Sequence, residues 1–80
     1  MTERFIIIGR STCPFCVQAV DFCKAKQKEC VFLDYDNKRE ILEDYKEFYG
    51  QKTVPIVLAN NLETGYTKKV GGCTDLLDYI

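Results

Sequence analysis

Eighty residues, 46% hydrophobic and 29% charged, read as one small globular domain over residues 1–80 with a modest core. A formal charge of −1 with no basic stripe argues against nucleic acid as a partner. No stretch approaches the length of a membrane span. Histidine is absent, which removes Cys/His zinc fingers, histidine acid–base catalysis and Cys–His proteases together.

Arg4 to Ile8, with the continuous β-branched run Ile6-Ile7-Ile8, suits a buried central parallel strand. It is too short for a signal peptide and lies among arginines, Arg4 and Arg10. The five cysteines are odd in number, and only one pair has a motif spacing. They therefore read as thiols of a reducing, cytoplasmic compartment rather than as a disulfide scaffold, with Cys23, Cys30 and Cys73 free.

Gly9 to Thr12 is the turn that leads to Cys13-Pro14-Phe15-Cys16, and a helix is expected from Pro14 to about Lys28. Its apolar stripe is Cys16, Ala19, Val20 and Cys23, at i, i+3, i+4 and i+7. Two residues between Cys13 and Cys16 let the sulfurs meet across one helical turn. The first thiol then sits at the helix start, where free N–H groups and the dipole favour a thiolate. Pro14 falls at the first helical position, where its missing N–H costs nothing. A redox dithiol follows from that context, although the pair alone also fits half a zinc site or a structural disulfide.

Cys30 to Tyr35 reads as a second strand. A second helix is expected from Asp36-Asn37, with Asn37 and Glu40 spaced as a capping box. Ile41, Leu42, Tyr45, Phe48 and Tyr49 mark its inner side, and Gly50 is placed to end it. Thr53-Val54-Pro55 enters a third apolar run, Ile56 to Leu58, with the proline at a strand start or edge. Asn60-Asn61 signals a turn, a fourth strand is expected near Tyr66 to Val70, and after Gly71-Gly72 a last short helix opens at Cys73-Thr74-Asp75. The order is β-α-β-α-β-β-α, a layered α/β fold.

Cys13-Pro14-Phe15-Cys16, Thr53-Val54-Pro55 and Gly71-Gly72-Cys73-Thr74-Asp75-Leu76 together resemble the active-site, cis-proline and glutathione-binding motifs of the dithiol glutaredoxins. The resemblance extends over nearly the whole chain. It implies a thioredoxin-like fold, a mixed four-stranded sheet flanked by three helices, and a cis Val54–Pro55 bond that turns the Val54 backbone toward the dithiol. It implies a glutathione-dependent thiol–disulfide oxidoreductase with Cys13 as nucleophile and Cys16 as resolving thiol.

Other positions carry over singly. Arg10 matches a basic position that faces glutathione's glycine carboxylate. Phe15 replaces the tyrosine common in the family and keeps the aromatic wall. Thr53, Val54 and Pro55 would line the tripeptide's middle; Gly72, Cys73 and Thr74 would meet its γ-glutamyl carboxylate, and Asp75 its ammonium group. Leu42 stands where many relatives have Gln or Arg, leaving Lys52 as the substitute cation. The segment from Pro55 to Gly71 is longer than usual, implying an extended hairpin over Asn60–Lys69, and the last helix is expected to be clipped.

The implied state is a monomer with no bound metal or organic cofactor and with glutathione as reducing co-substrate. The implied partners are disulfide-containing or glutathionylated proteins, ribonucleotide reductase among the candidates. Two alternatives belong to other classes: a thioredoxin-like redoxin reduced by a flavoprotein, and a glutathione-ligated iron–sulfur carrier. The missing tryptophan before Cys13 counts against the first, and Pro14 with Cys16 against the second.

Overall fold

A computed structural model describes residues 3–80. The elements are β1 (Glu3–Gly9), α1 (Pro14–Ala25), β2 (Glu29–Asp34), α2 (Arg39–Tyr49), β3 (Ile56–Asn61), β4 (Thr67–Gly71) and α3 (Cys73–Tyr79). One sheet runs in the order β2-β1-β3-β4, with β1 and β2 parallel and the other neighbours antiparallel. This is the mixed four-stranded, three-helix, thioredoxin-like arrangement expected from the sequence.

Side-chain alternation in the two central strands divides the interior. Phe5 and Ile7 of β1 and Val57 and Ala59 of β3 pack with Ala19 and Cys23 of α1 and Cys73 and Leu76 of α3. Ile8, Ile56 and Leu58 point to the opposite face, where Leu42 of α2 covers them. The unbroken apolar runs of β1 and β3 therefore mark strands buried on both sides.

Several boundaries move from the sequence expectation. Helix α1 stops at Ala25 rather than near Lys28, because Gln27 adopts a left-handed φ of 57° and the Lys28 N–H closes back on the Cys23 carbonyl at 2.8 Å. Helix α2 starts at Arg39 without the Asn37/Glu40 capping box. The preceding residues serve a different purpose: the Asp34 carboxylate accepts the N–H groups of Ser11 and Asp36, each at 3.0 Å, and Asp36 accepts the Thr12 hydroxyl at 2.8 Å. Asp34, read as strand, and Asp36, read as a helix start, thus pin the loop that leads into Cys13.

Two residues assigned to the inner side of α2 lie outside it. Phe48 is 80% exposed and Ile41 39%, while Leu42 is the fully buried residue, flanked by half-buried Tyr45 and Tyr49. A helix over one edge of a small sheet can bury only a narrow stripe. Gly50 ends α2 as expected.

Asn60 and Asn61 belong to the end of β3 rather than to the turn. The Asn61 carboxamide oxygen accepts the N–H groups of Glu63 and Thr64, which builds the turn from the residues after it. Among the described residues no helix is long and apolar enough to cross a membrane.

Candidate active site

Cys13 is the N-cap of α1, with extended backbone (φ −90°, ψ 119°), and Pro14 opens the helix. Its carbonyl accepts the N–H groups of Cys16 and Val17, each at 3.1 Å, so the first turn closes around the two cysteines. Both are free thiols. Cys13 is 8% exposed and Cys16 wholly buried.

The room for Cys16 is made on β1. A side-chain carbon at Gly9 would overlap the Cys16 sulfur, so the absence of one there lets α1 lie close on the strand. The two thiols consequently differ in acidity. Burial works against a Cys13 thiolate, yet the facing N–H groups of Cys16 and Phe15, the Cys16 thiol and the Arg10 charge bring its pKa below the ordinary 9.0. Cys13 makes no side-chain capping hydrogen bond at the helix start. Burial pushes Cys16 up to about 12, with the hydrogen bond to Cys13 adding to the rise. An acidic thiol over a neutral, proton-donating one is the arrangement that stepwise disulfide exchange requires.

Cys13 opens onto a groove of about 670 Å³. Arg10 and Phe15 form its α1 side, Phe15 being 60% exposed. Thr53, Val54 and Pro55 form the wall before β3, where the Val54–Pro55 bond is cis. Gly72, Cys73, Thr74 and Asp75 form the third wall at the start of α3. The candidate site residues of the sequence therefore meet at one groove except Cys16, which lies beneath it, and Lys52, which does not line it.

The third wall has a specific local cause. The Asp75 carboxylate accepts the Gly72 N–H at 2.8 Å, holding the turn onto the helix. Gly71 sits at φ +128°, and a side-chain carbon there would strike the Asp75 carboxylate, so only glycine fits. With the Gly72 N–H engaged, the donors without a partner inside the helix at this wall are the first-turn N–H groups of Cys73 and Thr74, beside the Thr74 hydroxyl. Burial, followed by the nearby Cys13 charge, raises the Cys73 thiol.

Two lining residues escaped the sequence reading. Leu42 is core, as its chemistry dictates, but the groove cation on α2 is Lys46 rather than Lys52. Lys46 lies one helical turn beyond Leu42, so the i+4 relation was the available signal. Gln51 also lines the groove. Its side-chain amide donates to the Thr53 carbonyl at 2.9 Å and the Pro55 carbonyl at 2.8 Å, bracketing Val54. No residue-type motif announces that clamp. Among the described residues no group of three or more His, Cys, Asp or Glu side chains could hold a metal ion.

The family model described as glutaredoxin matches residues 5–62. No curated protein sequence matches significantly. Among solved structures, a wheat glutaredoxin is 28% identical with a TM-score of 0.74, covering 92% of this chain and 67% of that one. Reduced Escherichia coli glutaredoxin is 25% identical with a TM-score of 0.69, covering 95% and 91%. A Brucella melitensis glutaredoxin is 25% identical with a TM-score of 0.65, covering 94% and 75%. With its dithiol at the start of α1, its thioredoxin-like sheet and a family match over most of its length, the chain belongs to the glutaredoxins, a family of thiol–disulfide oxidoreductases.

Proposed function

We propose that the protein is a glutathione-dependent thiol–disulfide oxidoreductase in which Cys13 attacks and Cys16 resolves. The observation that carries this reading is the opposed acidity of the two thiols at one groove, Cys13 below the ordinary thiol value and Cys16 near 12. Thiolate Cys13 attacks one sulfur of a protein disulfide, and the protein's other sulfur leaves as a thiolate. Cys16 then gives up its proton and attacks the Cys13 sulfur, releasing reduced protein and leaving a Cys13–Cys16 disulfide. Two glutathione molecules return the pair to thiols and depart as glutathione disulfide. With a glutathionylated protein, Cys13 takes the glutathionyl group and one further glutathione removes it, so Cys16 is not needed.

The groove suits the tripeptide chemically. Arg10 and Lys46, the latter also paired with Glu43 at 2.8 Å, supply positive charge for its glycine carboxylate, and the donors of Cys73 and Thr74 suit its γ-glutamyl carboxylate. Asp75 uses one acceptor for Gly72 and has capacity left for an ammonium group. Its partners are accordingly glutathione and disulfide-bearing or glutathionylated proteins.

A coupled assay tests the reading by supplying reducing power through glutathione and glutathione reductase, or through thioredoxin reductase. Turnover is expected with the first system alone. Cys13→Ser should abolish it for every substrate, whereas Cys16→Ser should keep deglutathionylation and lose reduction of protein disulfides. Reduction by thioredoxin reductase without glutathione, or activity retained in Cys13→Ser, would overturn the proposal.

A further inference from the structure

Away from the groove, a second pair of cysteines lies in one core. Cys23 on α1 and Cys30 on β2 pack in the same core, Cys23 fully buried and Cys30 half-buried at the sheet edge. Each thiol lies near enough to perturb the acidity of the other. The chain turns closely between them, with the Lys28 N–H bonded back to the Cys23 carbonyl at 2.8 Å. Neither residue lines the groove.

We propose that Cys23 and Cys30 form a second redox pair, which a small disulfide such as glutathione disulfide converts into an intramolecular disulfide joining α1 to β2. Cys30, the accessible member, attacks one sulfur of glutathione disulfide as its thiolate; a Cys30–glutathione disulfide forms and one glutathione thiolate leaves. Cys23 loses its proton and attacks the Cys30 sulfur, forming the Cys23–Cys30 bond and expelling the second glutathione. Two protein thiols are oxidised, one disulfide is reduced to two glutathiones, and the two protons end on those thiols.

The acidities repeat the division of labour at the groove. Burial, with added contributions from Cys30, pushes Cys23 up to about 12. Burial also raises Cys30, but the neighbouring Cys23 thiol and the Lys24 charge both work against that rise. The accessible sulfur is thus the better nucleophile and the buried one keeps its proton until it resolves.

The test is incubation of the full-length protein with excess glutathione disulfide, followed by alkylation of remaining thiols and peptide mass analysis. Wild type should lose four of its five thiols, and trypsin should yield Ser11–Lys24 linked to Glu29–Lys38. Cys30→Ser should lose two, keep its disulfide reductase activity, and lack that link. A Cys13→Ser/Cys16→Ser protein should still form it, and the oxidised form should unfold at a higher temperature than its reduced form. Loss of only two thiols in wild type, or a glutathione adduct that persists on Cys30 without the link, would overturn the proposal.

Discussion

Asp75 holds the Gly72 N–H with one carboxylate oxygen and faces the groove with the rest of its side chain, so its structural and binding duties can be separated. Asparagine keeps the acceptor for Gly72 and removes only the charge. Asp75→Asn should therefore leave the unfolding temperature nearly unchanged while lowering the glutathione-dependent rate about tenfold, for a charge-assisted contact of ~1–2 kcal/mol. A small neutral disulfide should react almost as before. Equal losses on both substrates would leave Asp75 as a helix cap alone.

Acidity at Cys13 gives a second check at this scale. Because Arg10 lowers its pKa, alkylation of Cys13 should reach half its maximal rate below pH 9.0, and Arg10→Glu should move that midpoint upward. An unmoved midpoint would remove Arg10 from the site. Cys13 and Cys16 were legible in the sequence because their chemistry is local to one helical turn. Lys46 and Gln51 were not, since their positions depend on where α2 ends and how the chain returns to β3.

Among the elements, α2 has the narrowest attachment to the sheet, with Leu42 as its one fully buried residue among those described. Leu42→Ala should cost about 3 kcal/mol of stability in denaturant unfolding, through lost burial and the cavity left behind. Phe48→Ala should cost less than about 1 kcal/mol, since Phe48 is exposed and only meets the edge of Tyr49, at 4.9 Å between centroids. Comparable losses would mean that α2 is held by its aromatic flank instead. The periodicity of α2 was readable, but Ile41 and Phe48 have the same hydrophobic character as Leu42. Which of them faces inward depends on how the helix is rotated on the sheet, a tertiary fact. The same limit applies before α2, where Asn37 and Glu40 have cap spacing but Asp34 and Asp36 are committed to Ser11 and Thr12.

For the whole molecule, the thiols impose a pH dependence with two limbs. Cys13 releases its proton below 9.0 when folded, so between its folded pKa and 9.0 the unfolded chain binds more protons and stability rises with pH. Cys16 and Cys23 keep their protons to about 12 when folded. Between 9.0 and about 12 the native state therefore binds more protons, and stability falls. Under reducing conditions the urea midpoint should drop between pH 8.5 and 10, and by less in Cys23→Ala. An identical drop in that variant would assign the loss to other groups.

The missing side chain at Gly9 gives this balance an unexpected owner. Any residue larger than glycine would overlap the Cys16 sulfur and force it from its place against β1, disturbing the burial that raises its pKa. The two sulfurs would then compete for the incoming disulfide instead of taking turns. The order in which the cysteines act is thus written on β1, four positions before the first of them, by a methyl group that is not there.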